Sequence, residues 1–212
     1  MDKNFNPDKQ HTLVKAVSIS GTGLHSGINV DMTLKPANPG FGYQFQRTDL
    51  PDMPIIKADC DLVTDTSRGT TLEKGNCKVS TVEHILAALV GMGVDNCLIE
   101  LNGPEIPIID GSSKPFTEII EKSGVLEQDA AKIWYTIDTN LSYFDDVKKV
   151  EMTALPAVNY QITTLIDFNS PVLGTQHASL KTMKDFKTEI APCRTFCFLH
   201  ELEMLLDNNL VK

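Results

Sequence analysis

Val30-Asp-Met-Thr-Leu-Lys-Pro36-Ala37 alternates apolar and polar residues and then breaks at a proline. A period of two is the pattern of a strand with one buried face. The pattern returns as Val150-Glu-Met-Thr-Ala-Leu-Pro156-Ala157, at a constant offset of 120, and Tyr43-Gln44 is answered by Tyr160-Gln161. An internal repeat is therefore expected, with chance likeness between two strands as the competing explanation.

Working outward, Leu13 to Ser20 reads as a first strand, the Gly21–Gly27 run as a turn, and Tyr43 to Gln46 as a further strand. Residues 51–76 read as loops and short strands. Ser80 opens the clearest helix, with Val82, Ile85, Leu86, Leu89 and Val90 in one apolar stripe and the small Ala87, Ala88 and Gly91 opposite. A helix apolar or small nearly all round is expected to be buried. Gly91 and Gly93 stop it, and Cys97 to Leu101 reads as a strand. The Asp110–Gly111 turn leads to a helix from Pro115 to about Lys122, ended by Gly124. A last helix, Phe198 to Asp207, carries Phe198, Leu199, Leu202, Leu205 and Leu206 on one face and answers the helix after Ser80.

Strands and helices that alternate without a βαβ rhythm predict an α+β fold. The expected architecture is two similar two-layer α/β sandwich domains, residues 1–128 and 129–212, related by the repeat. The second copy stops directly after its main helix, so the second domain is expected to be incomplete.

Bulk properties narrow the function. The 212 residues are 42% hydrophobic and 22% charged, as in an ordinary globular protein. A net charge of −9 without a basic stripe excludes nucleic acid or an anionic membrane as the main partner. A small phosphorylated ligand stays open. Met1 to Gln10 is polar, unlike a signal peptide. The longest apolar run, Ile85 to Val94, falls short of the roughly 20 residues of a transmembrane segment. Five cysteines without a C-x-x-C pair read as reduced structural thiols, which predicts a cytoplasmic protein.

Glu83 and His84 are the first candidates to carry chemistry. A carboxylate beside a metal-ligating imidazole is what metal-assisted hydrolysis needs. The alternatives are structural: Ser80-x-x-Glu83 is a capping box, and His84 is a buried ring satisfied by a carbonyl. A zinc site takes about three protein ligands. Four residues beyond His11, His25, His84, His177 and His200 stand Lys15, Asn29, Ala88, Lys181 and Met204, so no H-x3-ligand pair completes a site within the chain. His200 falls on the polar face of its helix, with Glu203 and Asp207. His25 sits in a Gly-rich turn where it could line a site, and Thr195 stands where an N-cap is the ordinary role. The Gly21–Gly27 run is not a dinucleotide fingerprint, because Ser26 takes the third glycine position and a strand follows.

Six segments occur in order: Gly23-Leu-His25-Ser-Gly27, Ser80-Thr-Val-Glu-His84, Asp95-Asn96, Pro104-Glu-Ile-Pro-Ile-Ile-Asp-Gly111-Ser, Ile166-Asp-Phe-Asn169 and Arg194-Thr-Phe196. Together they closely resemble the UDP-3-O-acyl-N-acetylglucosamine deacetylases, zinc amidases of lipid A biosynthesis, from about Gln10 to the end of the chain. The resemblance implies two similar α+β domains with the active site between them. It implies Zn2+ as cofactor, His84 as a metal ligand, Glu83 as general base and Thr195 as a hydroxyl for the developing oxyanion. It implies Phe168 near the nucleotide end of a UDP-acyl-glucosamine substrate, and His25 as a residue lining the site. It further implies that the remaining zinc ligands and an acid histidine lie beyond Lys212, which makes this chain an inactive fragment. Some members of the family carry a fused C-terminal dehydratase. A non-catalytic sugar-nucleotide-binding module of the same fold is the alternative.

Overall fold

The computed structural model describes residues 6–207, and of these the side chains of His200, Met204 and Leu205 are not described. The expected location of His200 on a polar face, and of Leu205 on an apolar one, lies outside the described residues.

Among the described residues, fourteen strands and three α-helices follow along the chain. They are β1 (Lys9–Leu13), β2 (Val17–Thr22), β3 (Asn29–Pro36), β4 (Tyr43–Arg47), β5 (Ile55–Lys57), β6 (Val63–Asp65), β7 (Thr71–Lys74) and β8 (Cys77–Val79). Then come α1 (Glu83–Gly91), β9 (Cys97–Leu101), α2 (Lys114–Ser123) and β10 (Val125–Ala131). The last are β11 (Leu141–Asp145), β12 (Val150–Ala154), β13 (Ile162–Asp167), β14 (Thr175–Leu180) and α3 (Leu199–Asp207). The class is mixed α and β, with several sheets and few helices.

The principal sheet runs β2-β3-β9-β4-β5, parallel only between β4 and β9. The alternation read around Val30 is realised in β3, whose Val30, Met32 and Leu34 are fully buried. They pack with Phe45 of β4, Ile99 and Leu101 of β9, Ile85 and Leu89 of α1, and Phe116 and Ile120 of α2 in one core. Sheet and helices thus form two layers. A second sheet, β6-β7-β8, lies beside it in sequence and adds Leu72 and Val79 to the same core.

The expected single strand from Leu13 to Ser20 is two. β1 pairs antiparallel with β10, while β2 pairs with β3. The link Val14-Lys15-Ala16 holds no glycine or proline, so nothing local marked the change of partner. β10 straddles the expected domain boundary at 128/129.

The two segments read as repeats both form strands of antiparallel hairpins, β3 inside the five-stranded sheet and β12 in a two-stranded one. β3 is the second strand of an antiparallel hairpin in which Ile19 faces Met32, and β12 is the second strand of one in which Tyr143 faces Met152. Burial separates them. β12 and β13 are largely exposed, with Met152 at 67% and Leu165 at 69%. The core of this half is a small cluster, Leu180, Phe186 and Ala191, resting on Ala87 of α1. Among the described residues no helix is long and apolar enough to cross a membrane.

Candidate active site

Thr81 sets the entry to α1. Its φ of +60° is an unusual backbone state for a β-branched residue. Val82, not Ser80, is the N-cap, and no side chain caps the helix. The expected capping box does not form. Ser80 N–H donates instead to the Pro104 carbonyl at 2.9 Å. Glu83 turns the other way, and its Oε2 accepts the Thr70 amide at 2.9 Å. A carboxylate in the first turn also complements the positive end of the helix.

His84 follows on the same turn, half-buried like Glu83. Its backbone carbonyl accepts a hydrogen bond from Ser113 Oγ at 3.0 Å. Among the described residues nothing bonds its ring nitrogens, so the alternative of an imidazole satisfied by a backbone carbonyl is not what the structure holds.

His25 lies in the turn between β2 and β3, and its Nε2 is 3.2 Å from the Arg68 carbonyl. The Arg68–Thr70 segment therefore meets His25 at one end and Glu83 at the other. His25, Arg68, Gly69, Thr81 and Glu105 line a cavity of about 360 Å³.

Thr195 comes from the second half and does not cap α3. That helix starts at Leu199, and the Phe198 amide donates to Glu201 Oε2 at 2.8 Å. Thr195 N–H donates to the Gly111 carbonyl at 2.9 Å, and Arg194 bridges Ser112. The 110–113 turn thus touches both Thr195 and His84. Burial raises the Asp110 carboxyl, but hydrogen bonds from Ser112 and the charge of Arg194 outweigh it and hold it below its ordinary value. Phe168 is half-buried and packs edge-on against Phe196 at 5.4 Å and Phe198 at 6.2 Å between ring centroids. An aromatic trio therefore stands beside Thr195.

The donor set bears on zinc. A half-buried histidine whose ring nitrogens bond nothing among the described residues, one residue after a carboxylate, fits one position of a metal site. Among the described residues no group of three ligating side chains includes His84. The one close group among them is Asp59, Cys60 and Asp61, all exposed. Cys97 is buried, and burial pushes its thiol up to about 12, as suits a structural cysteine.

Sequence reading passed over Glu105. It is 2% exposed and accepts hydrogen bonds from three residues. The signal was present: a lone carboxylate among Pro104, Ile106, Pro107 and Ile108 must find partners if its segment is buried.

Residues 10–212 match the family described as LpxC: UDP-3-O-acyl N-acetylglycosamine deacetylase. The chain is 45% identical over 204 residues to the bifunctional enzyme LpxC/FabZ of Chlorobaculum tepidum, covering 96% of this chain and 44% of that protein. It is 45% identical over 204 residues to the UDP-3-O-acyl-N-acetylglucosamine deacetylase of Myxococcus xanthus, covering 96% and 64%. It is 41% identical over 215 residues to the deacetylase of the same name from a Nostoc species, covering 96% and 74%. The chain spans less than half the length of the bifunctional relatives that it matches. On this match the chain belongs to the UDP-3-O-acyl N-acetylglycosamine deacetylase family.

Proposed function

We propose that the protein carrying this chain is a cytoplasmic zinc-dependent amide hydrolase of lipid A biosynthesis. Its substrate is a UDP-3-O-acyl-N-acetylglucosamine, and its products are acetate and the free glucosamine amine. Family membership supports the reaction class. The single observation that carries the residue roles is the orientation of Glu83. Its carboxylate is held by the Thr70 amide, outside any capping box, one residue before His84, whose ring nitrogens bond nothing among the described residues.

On this reading His84 is a metal ligand and Glu83 the general base. Bound zinc supplies Lewis-acid charge that acidifies water and polarises the amide carbonyl. The Thr70 bond fixes Oε2 of Glu83 and leaves Oε1 to take the proton of the attacking water. Thr195 Oγ1 donates to the oxygen that gains charge as the carbonyl carbon becomes tetrahedral. The C–N bond then breaks; one water in all supplies a hydroxyl to the acetyl carbon and a proton to the nitrogen. His25 lines the site, and Phe168 offers an aromatic surface to the nucleotide end.

The same reading treats β11–β14 and α3 as a second copy of the arrangement β2–β5 and α1, with a domain boundary at 128/129. The like placement of Met32 and Met152 in their hairpins supports it. A polypeptide offering only the donors described here holds zinc weakly, because a zinc site takes about three protein ligands. Relatives named LpxC/FabZ support a dehydratase fused to the deacetylase.

Glu83→Gln in the full-length protein tests the assignment. Hydrolysis falls by roughly 10² to 10⁴-fold, with zinc content and fold unchanged. A full-length protein without zinc, in which Glu83→Gln leaves sugar-nucleotide binding and stability intact, is instead the non-catalytic binding module. The scarcity of metal donors around His84 among the described residues is the observation on that side.

A further inference from the structure

Glu105 is a buried carboxylate with no role in the chemistry above. Its Oε1 accepts from the His25 amide at 3.0 Å and from Thr81 Oγ1 at 3.1 Å. Its Oε2 accepts from the Ser26 amide at 2.7 Å. The backbone on either side is tied down as well, since Ser80 N–H donates to Pro104 O and Ile106 N–H to Ser80 O. One side chain therefore joins two elements far apart in sequence: the turn that carries His25 and the residue whose φ of +60° sends the chain into α1.

The energetics point the same way. Burial raises the carboxyl, yet hydrogen bonds from Ser26, His25 and Thr81 prevail and leave it below its ordinary value. Bonds to a charged acceptor are stronger than neutral ones, and losing them strands the charge. A β-branched residue at positive φ is strained and persists only where its surroundings over-determine it. The Glu105–Thr81 bond is such a determinant. Two residues after Thr81 comes Glu83, and three after it His84.

We propose that Glu105 is the positioning residue of this site, clamping the His25 turn to Thr81 and so fixing the direction in which the first turn of α1 presents Glu83 and His84. It touches no reacting atom. The proposal adds a residue to the site of the hydrolase reading, and in its catalytic consequence it rests on that reading.

The test uses full-length protein and two near-isosteric variants, Glu105→Gln and Thr81→Val, followed by backbone amide NMR. In Glu105→Gln the His25 and Ser26 amide signals move upfield, and those of Glu83 and His84 move with them, while core amides such as Phe45 and Ile99 hold their positions. Thr81→Val removes one hydroxyl and retains the branched shape. It shifts Glu83 and His84 while leaving His25 and Ser26 in place, and it keeps the test open if Glu105→Gln does not fold. Glu83 and His84 signals that stay put in Thr81→Val overturn the proposal. So does a Glu105→Gln protein in which only the His25 turn responds.

Kinetics form a second arm. Glu105→Gln lowers kcat by about tenfold to a hundredfold with KM nearly constant, as expected when a reacting group is misplaced. An equal fall in stability with kcat unchanged makes Glu105 merely structural and overturns the proposal. Amide shifts that move as stated in a protein with no hydrolase activity refute the hydrolase reading and leave the clamp standing.

Discussion

Thr195 N–H donates to the Gly111 carbonyl at 2.9 Å, and two residues further along the same turn Ser113 Oγ donates to the carbonyl of His84 at 3.0 Å. Four consecutive residues, Asp110 to Ser113, thus join a threonine of the second half to the first turn of α1. The separation between these two candidate groups is set by a tight turn, in which Asp110 Oδ1 accepts from both the amide and the hydroxyl of Ser112.

Gly111 makes that turn possible. Its φ is +82°, where an L-residue is strained, while a β-carbon there would stand 3.7 Å from Thr195 Cγ2, an ordinary contact. The cost of Gly111→Ala is therefore one of backbone strain, about 1–2 kcal/mol. Chemical denaturation of the variant reads that loss, and amide exchange at Thr195 accelerates more than at core positions such as Ile99. A variant as stable as the parent with Thr195 still protected would show that the turn does not need its glycine.

Ser113→Ala separates the other arm. The His84 carbonyl keeps its place in the helix but loses the hydroxyl donor, at about 0.5–1.5 kcal/mol of stability. Thr195 protection is unchanged, because Gly111 still accepts its amide. Faster exchange at Thr195 in this variant would mean that the two arms of the turn are not independent.

The second half packs on α1 through the ring of Phe186. A β-carbon on Gly91 would lie 2.0 Å from Phe186 Cδ1, a collision that moves the ring or the helix. Phe186 is 5% exposed and belongs to the small cluster with Leu180 and Ala191. Gly91→Ala is expected to cost about 1–3 kcal/mol as overpacking. Limited proteolysis between residues 133 and 198 should accelerate, while cleavage in the first half stays slow. Equal protection of both halves in the variant would contradict this account of Phe186.

Much of the first half was legible because its signals are local. α2 is bounded by a proline at its start and by Gly124 at φ +78° after its end, and β9 is a short apolar run between turn residues. What escaped was pairing at long range. β1 takes its partner from β10, more than a hundred residues away, so no local pattern marked the break before Val17. Glu83 was legible as a candidate, but the amide that orients it, Thr70, is thirteen residues upstream in another strand connection. The capping box was plausible chemistry that lost to this rival donor. Glu105 escaped because its three partners come from two different loops.

Stability should fall on acidification in two steps, the upper from His11 and the lower from a set of carboxylates that includes Glu105. His11 is 2% exposed; burial pushes its ring below the ordinary 6.5, against the raising effect of Asp95 and Glu127 and together with the lowering effect of Lys132. The fold therefore keeps the ring neutral at a pH where the unfolded chain already takes up a proton. Between 6.5 and the lower folded value the unfolded state binds more protons, so stability drops as pH falls through that window and levels off below it. Glu105 acts later. Its folded value lies below the ordinary 4.5, so the unfolded chain protonates first and stability is lost as pH falls from about there through the folded value. Urea midpoints measured from about pH 8 to about pH 3 separate the two. His11→Gln should flatten the upper step and leave the lower one, while Glu105→Gln should weaken the lower step, shared with Asp49 and Asp110, and leave the upper one. An unchanged slope near pH 6 in His11→Gln would assign the upper step to another group and remove His11 from the account.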